Sequence, residues 1–440
     1  MDYNEAVVYL DGKIKFGIRP GLERISALCR KLGNPHDSFR SIHIAGTNGK
    51  TSTARIASSI LTEHGLKVGT YTSPHLALYT ERFLINAEPI AEEYFGQCLN
   101  QIIPCVEAVN GECPEPLTHF EILTALAFFL FARERIDCGV IETGMGGRWD
   151  ATNIINSRVA VVTNVDLEHT DVLGKTISKI AWEKAHIIKK GCSAIGGNLN
   201  EEALTVIRDR CANENVESKV FGADFSLVST KKVSETAQLI SVKGLYAGYD
   251  NLSLPLAGGH QAENASVAAA TCEAFLKKAL SLKKIRQAFE RASSPGRFEL
   301  IRREPLIVLD GAHNPAGIRR LAATLKQVVF NKLVLVLAIL EEKNVQEMLE
   351  AIIPLANLTI VTENHSDRCM NADHLSAEVS RLTEDYFTEK DLTRALKLAV
   401  KEAKKGDMVL VTGSLYTVGE AREFLHKGVS EGRVEICDTK

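Results

Sequence analysis

Short apolar runs alternate with longer amphipathic segments along most of the chain. Four runs have the length and composition of buried β-strands: Ser41–Ala45, Leu66–Thr72, Asp137–Glu142 and Arg158–Val165. Segments with helical periodicity separate them, near residues 51–64, 119–135 and 176–189. Because strands that alternate with helices are typical of βαβ units, the pattern predicts an α/β fold with a mostly parallel sheet.

The second half of the chain departs from this pattern and then resumes it. Residues 218–256 have no helical period and predict a small antiparallel β addition, which a helical segment at 260–280 follows. A turn at 292–296 then predicts a boundary between domains 1–294 and 295–440. Beyond it we expect a second, smaller Rossmann-like α/β domain, with strands Leu306–Asp310, Leu333–Leu340, Leu358–Val361 and Met408–Thr412, and helices from Pro315 and at 344–355, 390–402 and 416–427.

The composition excludes several classes of protein. Of the 440 residues, 45 % are hydrophobic and 24 % are charged, which argues against a disordered chain. The net charge of −3 lacks the basic footprint of a nucleic-acid binder. The longest apolar run, Ile122 to Ala132, is too short to cross a bilayer, and the N-terminus has no signal pattern. We therefore expect a cytoplasmic protein with no membrane or nucleic-acid partner, and its ten scattered cysteines to be reduced.

A glycine-containing turn connects the strand Ser41–Ala45 to a helix. Its residues are Gly46, Thr47, Asn48, Gly49, Lys50, Thr51 and Ser52. Such glycines let backbone amides close around phosphate oxygens, and the helix N-terminus adds the positive end of its dipole. Lys50 would reach the β- and γ-phosphates, and the Thr51 hydroxyl a phosphate or Mg²⁺. Although Ile44 replaces the first glycine of the full pattern, the strand before and the helix after favour a P-loop-type ATP-binding domain.

Glu142 ends a predicted strand of the same domain. A carboxylate at the carboxyl end of a parallel strand, close to a phosphate loop, is a typical Mg²⁺ ligand. A solvated loop acid is the alternative interpretation. The glycines from Gly144 onward, which let the backbone approach a ligand, favour the functional one.

Motifs along nearly the whole chain carry a family resemblance. GTNGKTS (46–52) resembles the ATP loop of the Mur ligase superfamily, and the chain resembles its folate branch, the folylpolyglutamate and dihydrofolate synthases. The other matching stretches, in family order, are YTSPHL (71–76), THFE (118–121), ETGMGGRWDATN (142–153), DLEHTDVLG (166–174), EKAHIIKKG (183–191), GGHQAENA (258–265), PGRFE (295–299), LDGAHNPAG (309–317) and VTGSLYTVGE (411–420).

The resemblance implies a metal centre with two Mg²⁺ ions. One ion would be bound by Ser73 and Glu142, and the second by His169, Glu142 and Lys184. Taken alone, Ser73 is only a turn residue before a proline, and His169 is only a loop histidine. With Lys50, the residues Glu142, His169 and Lys184 are the catalytic residues that the resemblance implies.

Lys184 lies on the apolar stripe of its helix. Ile177, Ile180, Ala181 and Ile188 define that stripe, and a period of 100° per residue puts Lys184 at its centre. A buried lysine is costly unless it is paired or neutralised, although the side chain can also reach the surface along its stem. The resembling lysine of the family is carbamylated by CO₂, which implies an anionic oxygen ligand here.

Thr118 and Glu121 have the spacing of a capping box at the start of an apolar helix. The resemblance makes the same stretch part of a pterin-binding surface, with Phe120 as a flat contact, and both interpretations can hold. It also makes Asp150 a substrate-binding acid. Trp149 stands where the family more often has leucine, a departure that bears on the pterin pocket.

The second half contributes further candidate binding residues. Gln261 and Asn264 are three apart at a helix start and can share a face. Arg297 follows a Pro-Gly turn and can act as a permanently charged phosphate clamp. By resemblance, ATP contacts Asn264, Arg297 and Asp310, while His313 lines the cleft. Ser414 opens the last helix and is either part of an anion site or a simple helix start.

The resemblance implies ATP-driven formation of an amide bond between L-glutamate and dihydropteroate or a reduced folate. The domains would close over ATP, and an acyl phosphate would be the activated intermediate. Two other functions stay open: a Mur-type ligase for peptidoglycan precursors, and a P-loop ATP-binding regulator. We expect a monomer with small-molecule substrates only. The acceptor, the length of the glutamate chain and a requirement for a monovalent cation are open.

Overall fold

The computed structural model describes residues 1–14, 17 and 19–430, except for the side chains of 427–430. These residues form two compact units. The first comprises Met1–Thr230, Leu239–Leu254 and Gln261–Ser293, and the second comprises Lys231–Gln238, Pro255–His260 and the chain from Ser294 onward.

An eight-stranded sheet organises the first unit. Its strands are β1 (Arg40–Ala45), β2 (Val68–Tyr71), β3 (Phe83–Ile85), β4 (Glu88–Pro89), β5 (Cys138–Glu142), β6 (Val159–Val162), β7 (Ser193–Gly196) and β8 (Ser218–Val220). The order is β4-β3-β2-β5-β1-β6-β7-β8, and the pairs from β2 to β8 are parallel. Strands β2, β5 and β6 are buried along their whole length, as expected where helices cover a parallel sheet.

Ten α-helices begin before Ser293 in the described residues. They are α1 (Tyr3–Ile14), α2 (Glu23–Lys31), α3 (Lys50–Glu63), α4 (Glu92–Glu112), α5 (His119–Arg133), α6 (Thr170–Leu173), α7 (Ile177–Ala185), α8 (Glu201–Glu214), α9 (Gly259–Leu276) and α10 (Leu282–Glu290). One core cluster joins α1, α2, α4 and α5 to β2 and β5, and another joins α7 and α8 to β6. A three-stranded sheet is formed by β9 (Ser226–Lys232), β10 (Gln238–Lys243) and β11 (Gly248–Leu254).

The second unit is built on a six-stranded sheet. Its strands are β12 (Glu299–Arg303), β13 (Leu306–Leu309), β14 (Leu333–Leu337), β15 (Leu358–Glu363), β16 (Tyr386–Asp391) and β17 (Met408–Thr412). The order is β12-β13-β17-β14-β15-β16, with only the β12–β13 pair antiparallel. Its helices are α11 (Pro315–Leu325), α12 (Val345–Ile352), α13 (Ala372–Val379), α14 (Leu392–Glu402) and α15 (Leu415–Ser430). Asn314 accepts a hydrogen bond from the Gly317 amide at 2.7 Å and caps α11, the helix predicted to start at Pro315.

The predicted fold class is confirmed: a large, mostly parallel sheet, a small additional sheet and a second α/β unit. Several details of the predicted elements were wrong; for example, the predicted strand Leu333–Leu340 ends at Leu337. Residues 218–220 form β8, a parallel edge strand of the large sheet, because they pair with β7. The predicted helix 176–189 ends at Ala185, and residues 390–391 finish β16, an edge strand that the polar sequence concealed.

Two further structural findings bear on the composition. Among the described residues, no helix combines the length and apolar character needed to cross a membrane. The nine described cysteines are all free thiols, and six of them are buried: Cys29, Cys98, Cys138, Cys192, Cys211 and Cys272.

Candidate active site

The phosphate loop lies between the end of β1 and the start of α3. Gly49 precedes α3 with φ of 81°, and a Cβ there would lie 2.4 Å from Asn264 Oδ1. Gly46 has φ of 153°, and a Cβ there would lie 1.9 Å from Thr163 Oγ1. Only glycine meets both restrictions, because the left-handed backbone and the close neighbours each exclude a side chain.

Thr163 and Asn164, which directly follow β6, hold the phosphate loop in place. Asn164 accepts a hydrogen bond from the Asn48 amide at 2.9 Å and donates one to the Asn48 carbonyl at 2.8 Å. The Thr163 hydroxyl donates to the same carbonyl at 2.7 Å. Thr47 is fixed in turn by its amide, which donates to the Asn164 carbonyl at 3.0 Å. The loop therefore has a defined shape, and Thr163 and Asn164 are residues that the sequence analysis missed.

Lys50 is the first residue of α3, so its ammonium group lies beside the loop. Its Nζ donates to the carbonyl of Gly46 at 2.8 Å and to that of Thr47 at 3.2 Å. Ser52, two residues further along α3, is buried. The helix N-terminus and the lysine together create the positive potential that a polyphosphate needs.

Glu142 ends β5, and its carboxylate is hydrogen-bonded to residues that follow β1 and β2. Its carboxylate is 1 % exposed and accepts the Thr51 hydroxyl at 2.9 Å on each oxygen. The amide of Ser73, which follows β2, donates to the same carboxylate at 3.2 Å. Because β2, β5 and β1 are neighbours, their carboxyl ends bring Ser73, Glu142 and Thr51 together, as parallel-sheet topology predicts.

The donor set at Glu142 suits a hard divalent cation. Among the described residues, no three His, Cys, Asp or Glu side chains are grouped so that they could hold a metal. A cation beside Glu142 would thus have to use hydroxyl or phosphate oxygens as well. The Thr51 hydroxyl lies at the right place for this, and carboxylate and hydroxyl oxygens are ligands that Mg²⁺ accepts.

Lys184 is buried, as the helical stripe predicted, and it does not reach the surface. Its Nζ lies 2.7 Å from Glu168 Oε1, and the two side chains are 1 % and 10 % exposed. Burial lowers the pKa of Lys184, and Glu168 partly offsets the effect. Burial would raise the pKa of Glu168, but the charges of Lys184 and Lys50 outweigh it and lower that pKa to about 2. Glu168 is a third residue that the sequence analysis missed.

His169 follows Glu168 and directly precedes α6, with φ of 46° in the left-handed region. It lies near enough to Glu168 for its charge to help lower that pKa. The structure therefore groups Lys50, Glu168, His169 and Lys184 within electrostatic range of one another.

Asp150 is buried and engaged by its own loop. It accepts hydrogen bonds from the amides of Met145 at 2.8 Å and Thr152 at 3.0 Å, and from the Thr152 hydroxyl. Thr152 in turn bonds His43 Nε2 at 2.8 Å. Burial raises the pKa of Asp150, and these hydrogen bonds lower it in part. The carboxylate therefore shapes the glycine-rich loop, and its contact with substrate stays a prediction.

The predicted capping box at α5 is present. Thr118 Oγ1 accepts the Glu121 amide at 3.3 Å, and Glu121 accepts the Thr118 amide at 2.8 Å. The Glu121 carboxylate also pairs with Arg24 of α2 at 3.1 Å. Phe120 stacks on Tyr71 with ring centroids 6.1 Å apart, and the same ring would lie 2.6 Å from a Cβ at Gly144. Phe120 thus lies beside the glycine-rich loop, whereas Glu121 is turned toward α2.

Asn264 lies over the phosphate loop, as its contact with Gly49 indicates. Its side-chain amide donates to Gln261 Oε1 at 3.2 Å, so the two residues share a face as predicted. Both are buried.

The second unit contains its own polar cluster after β13. Asp310 is buried and accepts the amides of Phe298 at 2.8 Å and Ala312 at 2.9 Å. Burial raises its pKa, and the nearby Arg297 charge opposes that effect. Arg297 and His313 both bond the Gly311 carbonyl, at 3.0 and 2.7 Å.

Ser414 follows the neighbouring strand β17 and is buried. Its hydroxyl accepts the Tyr416 amide at 3.2 Å, and the preceding Gly413 amide donates to the Ala312 carbonyl at 3.2 Å. Ser414 therefore directly precedes α15 beside the Asp310 cluster, and its hydrogen bond to the Tyr416 amide needs no anion.

Two family domains match the chain at the positions of these sites. Residues 44–272 match the Mur ligase middle domain, and residues 296–415 match the glutamate ligase domain of Mur ligases. The chain belongs to the Mur ligase family. Its phosphate loop and Lys184 fall in the middle domain, and Arg297, Asp310 and His313 fall in the glutamate ligase domain.

This Mur ligase is similar over almost its whole length to the folate branch. It is 35 % identical to the dihydrofolate synthase/folylpolyglutamate synthase of Bacillus subtilis, over 96 % of this chain and 99 % of that protein. A structure of Mycobacterium tuberculosis folylpolyglutamate synthase complexed with ADP superposes with a TM-score of 0.92 at 35 % identity, covering 96 % of this chain and 98 % of that chain. FolC of E. coli in complex with DHPP and ADP superposes with a TM-score of 0.87 at 30 % identity, covering 97 % and 98 %. The resemblance to the folate branch is thereby confirmed.

Proposed function

We propose that this protein is an ATP-dependent ligase that joins L-glutamate to dihydropteroate, to a reduced folate or to both. The observation that carries the proposal is the convergence of Thr51, Glu142 and Ser73 at the phosphate loop. The folylpolyglutamate and dihydrofolate synthases to which the chain is similar, and the ADP bound to two of the similar structures, support it.

The reaction begins with activation of a carboxylate. A carboxylate oxygen of the acceptor attacks the γ-phosphorus of ATP, and ADP leaves with the electron pair of the broken P–O bond. The product is an acyl phosphate. Lys50 and the N-terminus of α3 stabilise the negative charge on the phosphate oxygens during this transfer.

The amide bond forms in the second half of the reaction. The amino group of L-glutamate attacks the carbonyl carbon of the acyl phosphate, inorganic phosphate leaves, and the nitrogen loses a proton. Because phosphate is a far better leaving group than hydroxide, the earlier phosphorylation makes this step feasible. The protein contributes mainly orientation and charge neutralisation.

Thr51 and Glu142, with Ser73 beside them, are the residues that would hold Mg²⁺ at the phosphate loop. When bound, Mg²⁺ supplies charge neutralisation for the transferring phosphoryl group. His169, Glu142 and a carbamylated Lys184 would hold a second Mg²⁺ ion.

We also propose that Lys184 carries a carbamate. Its burial, which lowers the pKa of the amine, supports this because only the neutral amine attacks the carbon of CO₂, losing a proton as the N–C bond forms. A carbamate would replace the ammonium partner of Glu168 by an anion, and nearby positive charge, such as that of Lys50, would then have to balance the two negative groups. Electron density beyond Nζ in crystals grown above neutral pH with bicarbonate is the expected result. A bare ammonium group bonded to Glu168 under those conditions would contradict it.

Product analysis tests the function directly. The protein is incubated with ATP, Mg²⁺, L-glutamate and either dihydropteroate or tetrahydrofolate, and the products are analysed by mass spectrometry. We expect an acceptor heavier by one glutamate residue, and ADP release only when the acceptor and glutamate are both present.

The same assay distinguishes the two other functions. ADP release that does not depend on glutamate would favour a P-loop regulator. Stimulation by a UDP-muramyl peptide, with no response to pteroate or folate, would favour a peptidoglycan-precursor ligase. Comparison of dihydropteroate with tetrahydrofolate identifies the acceptor, and replacing Trp149 with leucine tests whether that side chain influences the choice.

A further inference from the structure

The segment 144–150 connects the metal-binding carboxylate Glu142 to the buried Asp150. It contains three glycines, Gly144, Gly146 and Gly147, and Gly146 has φ of 67°. A backbone this rich in glycine loses much conformational entropy when it is ordered. It therefore needs contacts outside the segment to keep one conformation.

Those contacts are made with the last turn of α7, which carries Lys184. The Arg148 amide donates to the Glu183 carbonyl at 2.9 Å. A Cβ at Gly147 would lie 2.8 Å from the Glu183 carbonyl oxygen and 2.9 Å from that of Lys184. The segment is thus packed directly on the backbone of the predicted catalytic lysine.

The side chain of Arg148 also connects segment 144–150 to α7. Its guanidinium carbon lies 4.5 Å from the centre of the Trp149 ring and 4.7 Å from that of Trp182. Trp149 belongs to the loop segment and Trp182 belongs to α7, so one cation joins both parts. The Glu183 carboxylate lies 4.0 Å from the guanidinium group. A planar guanidinium can stack on two rings at once, which a lysine ammonium does not do.

We propose that Arg148, Trp149 and Trp182, here called the tryptophan clasp, position Lys184 for the ligase reaction. The inference rests on the proposed function, in which Lys184 orients a reacting group. Arg148 is a positioning residue: it acts through the last turn of α7 and needs no contact with substrate.

Lys184 is sensitive to such positioning because its surroundings are closed. Its side chain is 1 % exposed, and its Nζ is held 2.7 Å from Glu168. A misplacement of about 1 Å can reduce a reaction rate about a hundredfold, so a partial loosening of α7 is expected to have a smaller but measurable effect. The phosphate loop is held separately by Thr163 and Asn164, so ATP binding should not change.

Steady-state kinetics of four variants test the proposal. Arg148→Lys and Trp149→Leu should lower kcat about tenfold with an unchanged KM for ATP, while Trp149→Phe should retain activity because an aromatic ring remains. Arg133→Lys is the matched control, since Arg133 lies 5.6 Å from the Tyr94 ring far from Lys184 in sequence, and its kcat should not change. An unchanged kcat in Arg148→Lys would overturn the proposal, as would a rise in the KM for ATP alone.

A second measurement does not depend on activity. Hydrogen–deuterium exchange in peptides covering 143–150 and 177–188 should be faster in Arg148→Lys than in the wild type, with no change in peptides covering 46–60. Equal exchange in the first two peptides would refute the clasp. If the wild-type protein had no ligase activity, the proposed function would fail, whereas the exchange data would still decide whether the clasp orders α7.

Discussion

Replacing Glu121 with alanine separates a structural role from a substrate-binding role. The carboxylate pairs with Arg24 Nε at 3.1 Å and accepts the Thr118 amide at 2.8 Å. The side chains of Arg24 and Glu121 are 10 % and 5 % exposed. The structure therefore indicates that Glu121 binds other parts of the chain, and the variant should lose stability rather than substrate affinity.

The loss of unfolding free energy in Glu121→Ala depends on the groups that lose their partner, which are the Arg24 guanidinium and the Thr118 amide. Removing one partner of a buried ion pair costs about 3–5 kcal/mol, because the other charge stays buried, and loss of the capping interaction at Thr118 adds about 1 kcal/mol. Arg24 keeps a hydrogen bond to the Arg19 carbonyl at 2.8 Å and a contact with Glu115 at 3.4 Å. We therefore expect the lower part of the combined range, about 4 kcal/mol.

Urea unfolding followed by tryptophan fluorescence is the assay, because both tryptophans, Trp149 and Trp182, belong to the first unit. The matched control is Glu112→Ala, which removes an exposed ion pair with Lys31 and should cost under about 1 kcal/mol. A double variant, Arg24→Leu with Glu121→Leu, should recover much of the lost stability, since no unpaired charge remains.

The kinetic result decides between the two roles. At a temperature at which Glu121→Gln is folded, its KM for the pterin or folate acceptor should equal that of the wild type. A variant with wild-type stability and a KM raised about tenfold would refute the structural interpretation.

Four further substitutions probe other parts of the first unit. Lys50→Ala and Glu142→Ala should abolish glutamate addition, as measured by mass spectrometry, while each variant keeps the circular dichroism spectrum of the wild type. Loss of that spectrum in either variant would mean that the replaced residue has a structural role. Gly46→Ala should prevent ADP binding in calorimetry, because its Cβ would lie 1.9 Å from Thr163 Oγ1, and wild-type affinity would disprove this geometry. Burial lowers the pKa of His43 from 6.5 to about 3 in the folded protein. As the pH falls, His43 is therefore protonated in the unfolded chain while it is still neutral in the folded protein. The free energy of unfolding should fall as the pH drops below about 6.5. Between pH 7 and about pH 5 the free energy of unfolding of the wild type should fall by about 2 kcal/mol from this effect. Urea unfolding of His43→Gln should show a smaller decrease over the same pH range. An equal decrease in the variant and the wild type would contradict the lowered pKa of His43.

The features that sequence analysis predicted well depend on local spacing. Lys184 lies at the centre of an apolar helical stripe and is buried, and Thr118 with Glu121 forms the capping box that their spacing indicated. Glu142 and the phosphate loop lie at the ends of neighbouring strands because parallel strands bring their carboxyl ends to one edge of the sheet. A period or a cap depends on residues within one or two turns, so it can be recognised without a structure.

The partners of these residues could not be predicted in the same way. Glu168 was one of several acids in its segment, and nothing in the spacing distinguished it as the partner of Lys184. Arg24 and Glu121 are ninety-seven positions apart, and their pairing depends on how α2 packs against α5. The loop contacts of Asn164 likewise depend on β6 lying next to β1.

The amino-acid sequence by itself determined the α/β class, the phosphate loop, the buried position of Lys184 and the resemblance to the folate branch of the Mur ligases. Those features are set by short-range periodicity and by motifs whose residues are adjacent. Only the tertiary structure decided which groups meet: Thr51 with Glu142, Lys184 with Glu168, and Arg148 between two tryptophans. The physical reason is that a pair of side chains is selected by the order of strands and the packing of helices, which no local pattern encodes.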